Sequence, residues 1–133
     1  MKQRPAFLTV AQVLAIHRRV MQDFGGDSTV RDEGLLQSAV MMPAAQYGGK
    51  LLHPDIEAMA AAYLFHICRN HAFADGNKRT ALVAAELFLL LNGWQLKATN
   101  RELERLTLWV AAGEVTKQDV IAFFREHVTK AGD

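Results

Sequence analysis

From Pro54 to Gly93 the chain carries two long apolar stretches, interrupted once by His71-Ala72-Phe73-Ala74-Asp75-Gly76-Asn77-Lys78-Arg79. Pro54-Asp55 opens the first stretch, which reads as a helix to about Asn70. Its apolar residues lie nearly all round, the pattern of a helix buried at the centre of a domain. The second reads as a helix from Asn77 to Asn92, stopped by Gly93. Its most apolar part, Ala81 to Leu91, contains Glu86 and is too short to span a bilayer, so it belongs to a core. Two central helices joined by a polar, glycine-bearing loop set the architecture: an all-α fold with the loop wedged between rigid elements.

The remaining segments fit that plan. Thr9 and Gln12 are spaced as a capping box. They start a helix with Val10, Val13, Leu14, His17, Val20, Met21 and Phe24 on one face, ended by Gly25-Gly26. His17 on that face reads as a satisfied core or boundary histidine rather than a ligand. A short helix from about Asp32 to Met41 stops before Pro43. Ala44 to His53, with Tyr47-Gly48-Gly49, reads as an exposed loop or small hairpin. Trp94-Gln95-Leu96 is a short extended piece. Thr99 with Glu102 caps a helix to about Ala112, closed by Gly113, and Thr116 caps a last helix carrying Val120, Ile121, Phe123, Phe124 and Val128. The expectation is a compact bundle of about six helices, one domain over 1–133.

Composition narrows the function. The chain has 133 residues, 50% of them hydrophobic, and a mean hydropathy of +0.01, which indicates a globular chain. Fifteen basic and fourteen acidic residues leave a formal charge of 15 − 14 = +1, so no broad electrostatic footprint for nucleic acid exists. One cysteine, Cys68, excludes an internal disulfide framework and fits a reducing cytoplasm. It lies in an apolar helical run and reads as a buried thiol, not a nucleophile. Lys2 and Arg4 are followed by Pro5 and by no long apolar run, so the N-terminus does not read as a signal peptide. A soluble, cytoplasmic protein without a membrane partner is expected.

The nine-residue interruption carries the chemistry. A Gly76-Asn77 step opening a helix leaves backbone N–H groups free, where the helix dipole favours anions. Lys78 and Arg79 in that first turn oppose the dipole, a conflict that a bound phosphate offsets. His71 ends the preceding helix and is a candidate general base for an attacking hydroxyl, with capping of the last carbonyls as the plainer reading. Asp75 offers three roles: a magnesium ligand, a partner that orients His71, or a cap for the next helix. Gly76 permits close backbone approach to a phosphate, and Asn77 tolerates left-handed conformations and donates an amide. Lys78 supplies a point charge and Arg79 a planar fork. Phe73 reads as an anchor of the loop into the core. Arg69, two residues before His71, either adds charge to the same rim or is an ordinary surface residue.

The pattern His-x-Phe-x-Asp-Gly-Asn-Lys-Arg resembles the active-site motif of the Fic/Doc superfamily, in its Doc (death-on-curing) branch. Arg31 to Ala39, Tyr47-Gly48-Gly49, Arg69-Asn70, Thr80-Ala81-Leu82 and Asn92-Gly93 extend the similarity over most of residues 8–128. The resemblance implies a toxin that moves the γ-phosphate of ATP, with Mg2+, to a protein hydroxyl, elongation factor Tu being the associated target. It further implies a Phd-like antitoxin whose tail folds as a helix into a groove. His71 would be the base, Asp75 the Mg2+ ligand, and Gly76, Asn77, Lys78 and Arg79 the phosphate cradle, with Tyr47 to Lys50 receiving the target segment. The AMP-transferring Fic enzymes usually have Gly where this chain has Lys78 and a second Arg where it has Leu82. Those two departures point to the Doc branch, whereas Gly76 is Fic-like and Ala72 replaces the common Pro. AMP transfer, or a catalytically weak binding module, are the rival implications. The string Thr29-Val30-Arg31-Asp32-Glu33-Gly34 matches a self-inhibitory Fic pattern, but its glutamate pairs with the Arg that Leu82 replaces.

Overall fold

Five of six helices begin on a side chain that caps them. In the computed structural model, which describes residues 4–132, Thr9 accepts from Gln12 N and opens α1 (Val10–Phe24). Asp32 opens α2 (Glu33–Met41) and Asp55 opens α3 (Ile56–Asn70), each accepting an N–H three residues on. Thr99 and Thr116 form full capping boxes at α5 (Asn100–Ala112) and α6 (Lys117–His127). Such caps satisfy the orphan donors of a helix start and each contributes about 1 kcal/mol. Only α4 (Asn77–Leu91) starts without one: its N-cap is Gly76, in the left-handed region. Lys2, part of the N-terminal reading, lies outside the described residues.

α3 occupies the centre. Ala58, Ala60, Ala61 and Ala62 on α3 and Ala81, Ala84 and Ala85 on α4 are all buried, and small side chains let the two backbones approach closely. Tyr63 and Phe88 fill the space beside them with ring centroids 5.0 Å apart. α6, α5 and α2 pack against the other sides of α3, and α1 lies on α4. A 3-10 turn, Met42–Ala44, follows α2 directly, with Pro43 at a position where its missing N–H is not needed.

Two small antiparallel ladders complete the fold. β1 (Gln46–Tyr47) and β2 (Lys50–Leu51) form the hairpin anticipated in that segment. Its turn is Gly48-Gly49 with φ 58° and 80°, the pair of positive values that a two-residue hairpin turn requires. β3 (Trp94–Leu96) pairs with β4 (Val128–Lys130), Leu96 opposite Val128. This corrects one expectation: Val128 does not continue the last helix but ends it and enters a strand, because Trp94–Leu96 offers an unpaired edge there. Among the described residues no helix is long and apolar enough to cross a membrane.

The N-terminal segment is tied down from both central helices. Asn92, the C-cap of α4, exchanges hydrogen bonds with both backbone groups of Ala6, and the Tyr63 hydroxyl accepts from Leu8 N at 2.8 Å in the core. Burial pushes the Tyr63 phenol up to about 12, so it stays protonated. Tyr63→Phe keeps the ring and strands the Leu8 N–H. Urea denaturation should show a loss of about 1–3 kcal/mol at unchanged slope, the range for a buried donor left unpaired.

Candidate active site

The motif loop leaves α3 through a strained residue. His71 is the C-cap of α3 at φ 50° and ψ 46°, the one non-glycine with positive φ among the described residues. Glycine is the usual occupant of that position, and holding another residue there costs about 1–2 kcal/mol. The turn is made by the left-handed backbone, so the imidazole takes no part in capping and stands exposed. Strain of this kind is found at active sites and ligand clamps, where the surrounding structure holds it in place.

A buried ring, a backbone bridge and a set of hydrogen bonds then fix the loop. Phe73 is fully buried, and its ring stacks on His17 with centroids 3.7 Å apart and planes 8° from parallel. Its backbone bridges to Val30, Ala72 O accepts from Arg31 N and Asp32 N at 2.7 and 3.2 Å, and Ala74 N donates to Thr29 O at 2.9 Å. Asn77 reaches back to Phe73 twice, Oδ1 accepting from its N–H at 3.1 Å and Nδ2 donating to its carbonyl at 2.8 Å. His17 Nε2 donates to the Asp75 carbonyl at 2.8 Å. Gly76 follows at φ 82°, a conformation glycine adopts without strain, and a Cβ there would meet Met21 Sδ at 2.7 Å, so any other residue would be strained and would have to displace the Met21 side chain.

The predicted site residues separate on this frame. Asp75 is exposed, and its Oδ2 accepts from Asp27 N at 2.8 Å. The helix cap is Gly76, not Asp75, and the carboxylate's hydrogen bond goes to Asp27 N in the Gly26-Asp27 turn rather than to His71, so it does not orient the imidazole. Asp27 is itself locked by the Thr29 hydroxyl and N–H, which lower its pKa. The Asn77 amide is turned back onto Phe73 through both its oxygen and its nitrogen, which makes its backbone N–H the group set to meet an anion at the helix start.

The two cations share one cavity but differ in their neighbours. The Arg79 guanidinium lies 3.7 Å from the Phe24 ring centroid, over the end of α1. Lys78 is exposed and, with Arg79, Leu82, Asn100 and Thr107, lines a cavity of about 380 Å³ between α4 and α5. Arg69 donates from Nη1 to Val110 O at 3.3 Å, near the C-terminal end of α5, and packs on Gly113. Cys68 is buried, with Sγ directed at Thr107 O. Burial pushes its thiol up to about 11, against the pull of the Lys78 and Arg69 charges.

Three contributors were not singled out from sequence as site residues: His17, Met21 and Asp27. His17 is a satisfied core histidine, 3% exposed, as its face implied. What it satisfies is the motif loop. His17 and Met21 sit one turn apart on the apolar face of α1, the pattern that could have pointed to them. The string 29–34 has a structural use: Thr29 to Asp32 back the loop, and Asp32 caps α2 before exposed Glu33.

Residues 7–89 match the Fic/DOC family. Toxin Doc of Mycolicibacterium smegmatis is 52% identical over 75 residues, which make up 56% of this chain and 58% of that protein. Protein kinase doc of Escherichia phage P1 is 33% identical over 109 residues, 82% of this chain and 85% of that protein. The chain thus aligns with little more than half the length of the first of these relatives and with most of the second.

The strain at His71 gives a direct test. His71→Gly relieves the left-handed conformation while adding chain entropy to the unfolded state. The net effect on unfolding free energy should lie between about 0 and +1 kcal/mol. Chemical denaturation of the variant that shows a clear loss of stability would mean that the imidazole supports the fold.

Proposed function

The chain belongs to the Fic/DOC family, and on that premise we propose that it is the toxin enzyme of a toxin–antitoxin pair, transferring the γ-phosphate of ATP to a protein hydroxyl. Elongation factor Tu is the substrate that the motif's resemblance suggests. The observation that carries the reading is the pairing of an exposed, strained His71 with an α4 N-terminus that has no side-chain cap. A base and an anion-seeking helix end flank one loop, the two functions that hydroxyl-to-phosphate transfer requires. The name of the phage relative, Protein kinase doc, supports the same reaction class.

In this reading His71 takes the proton of the target hydroxyl, whose oxygen bonds the γ-phosphorus as ADP departs. Gly76 and Asn77 present backbone N–H groups to the phosphates, and Lys78 and Arg79 add charge from either flank. Asp75 suits Mg2+: its carboxylate is pre-oriented by Asp27, and among the described residues no three His, Cys, Asp or Glu side chains converge. A single carboxylate is the usual protein share of a magnesium site completed by phosphate and water, and the ion supplies charge neutralisation. The β1–β2 hairpin, with Tyr47 81% exposed, is the edge proposed to receive the target segment. Leu82 places an apolar side chain where AMP-transferring relatives of the motif carry a cation, so the terminal phosphate gains nothing there and belongs nearer Lys78 and Arg79.

The antitoxin, Phd-like by resemblance, has a surface that fits it. A groove of about 720 Å³ between α1 and α4 is lined by Ala15, Ile16, Val20, Leu82, Val83 and Leu87, suited to the apolar face of an incoming helix. Val83 is 40% exposed, so Val83→Glu should leave the fold and phosphoryl transfer intact while weakening antitoxin binding by about 2 kcal/mol or more, measured by calorimetry.

The transfer itself is tested by incubating the chain with elongation factor Tu and ATP labelled separately at the α and γ positions. Label should move from γ, and the intact mass of the target should rise by about 80 Da. A rise of about 329 Da, the adenylyl mass, would make the chain an AMP transferase. No transfer of either label would favour another target or a binding role. Asp75→Asn should lose the magnesium-dependent transfer, and retained activity after chelation would remove the metal from the mechanism.

A further inference from the structure

Outside the motif, two imidazoles and one ammonium meet where α6 starts against α3. Lys117 Nζ lies 3.0 Å from His53 Nε2 and 3.2 Å from His66 Nε2. An ammonium can only donate, so both Nε2 atoms accept and both rings are neutral with the proton on Nδ1. His53 is 2% exposed; its Nδ1 faces the Met42 and Pro43 backbone without a hydrogen bond of its own. Burial, then the charges of Lys117 and His53, push His66 down to about 4.

Against the two imidazole acceptors, which hold the ammonium, three features around Lys117 favour its neutral form. It is the first residue of α6 after the N-cap Thr116, where the helix dipole disfavours a cation. Among the described residues no carboxylate lies within ion-pair distance of it. Asp119, the acid of that turn, is committed to the Thr116 N–H at 2.8 Å. Burial lowers the lysine's own proton affinity. Losing a proton sacrifices neither hydrogen bond, because a neutral amine still has one N–H for each imidazole and turns its lone pair outward.

We propose that Lys117 is a nucleophilic lysine, a modification site for activated acyl donors of the acyl-phosphate class, with His53 and His66 as its proton acceptors. The Nζ lone pair attacks the acyl carbonyl carbon. A C–N bond forms, the C–O bond to phosphate breaks, and phosphate leaves with the electron pair. The extra proton on nitrogen is relayed along its hydrogen bond to His66 Nε2, on the half-buried and therefore wetter of the two rings, and is released to water at once, since burial keeps that ring from holding it. The amide product keeps a single N–H, so one imidazole loses its donor and the contact between α6 and α3 loosens.

The test uses the full chain with limiting acetyl phosphate at about pH 7.5, read by peptide mass mapping. Lys117 should be acetylated on the order of tenfold faster than exposed Lys97 and Lys130, a modest share of what positioned bases supply. Its rate should also level off at lower pH than theirs, since less of its amine is held as ammonium. His66→Gln keeps a hydrogen-bond acceptor but not a base, and should bring the Lys117 rate towards that of Lys97. Wild-type Lys117 reacting no faster than Lys97 would overturn the proposal. So would an unchanged preference in folded His66→Gln; should that variant not fold, the wild-type rates and pH profiles decide alone.

Discussion

The burial of Phe73 is the contact from which the rest of the site hangs. One aromatic side chain in the middle of a polar loop is drawn into the core and stacked face to face on His17. A fully buried Phe contributes about 1.5–3 kcal/mol from burial, more than any single hydrogen bond in the loop, and it can be satisfied in only one place. Once the ring is seated, Ala72 and Ala74 lie against Thr29 to Asp32, and Asn77 closes the turn onto the Phe73 backbone. The residues that do not anchor, His71, Asp75 and Lys78, are left exposed at set positions. The alternation of buried and exposed positions through 71–78 is thus the means by which the chain converts packing into geometry.

The floor of the site is built from the N-terminal part of the chain, far from the motif in sequence. α1 supplies His17 and Met21, and the turn after it supplies the Asp27 N–H that orients Asp75. Both Gly26 and Gly76 bring backbone close to Met21. A small shift of α1 would therefore reach the Asp75 carboxylate and the α4 N-terminus together. The apolar groove proposed for an antitoxin helix lies along the same α1, with Arg79 at its wall stacked on Phe24. Occupation of that groove and the placement of Arg79 are physically linked, which offers a route from partner binding to site electrostatics without any contact to His71.

What could be read from the sequence follows from how local each feature is. Thr9, Thr99 and Thr116 cap helices through contacts three residues long, and Gly48-Gly49 makes its turn from its own φ values, so these were legible. The two central helices were legible because burial on all sides leaves a composition no other element shows. Val128 was misread since its state depends on Trp94–Leu96, over thirty residues earlier. The motif residues were legible as a set, but their directions were not. Lys78 and Arg79 both line the α4–α5 cavity, yet only Arg79 also stacks on α1, because helical spacing rotates consecutive side chains by about 100°. Likewise Asn77 looked like a phosphate donor in isolation, and only the folded loop shows its amide closed on Phe73.

Local rules are kept almost everywhere in this chain and broken together at one point. α1, α2, α3, α5 and α6 begin on Thr or Asp side chains, while α4 begins on a glycine with two cations in its first turn. α3 ends on a histidine in a conformation that favours glycine. Each departure alone has an ordinary explanation, such as tolerance in a marginal loop. Their coincidence over nine residues does not, because the surrounding structure fixes those residues firmly through Phe73, Asn77 and His17. A mobile loop can relax its strain, whereas a pinned one must hold it. The uncapped N–H groups and the cations that oppose the helix dipole would be compensated together by one addition, an anion at the α4 N-terminus, beside the strained His71. That shared compensation, rather than any single motif residue, is the physical argument behind the phosphate site proposed for this loop.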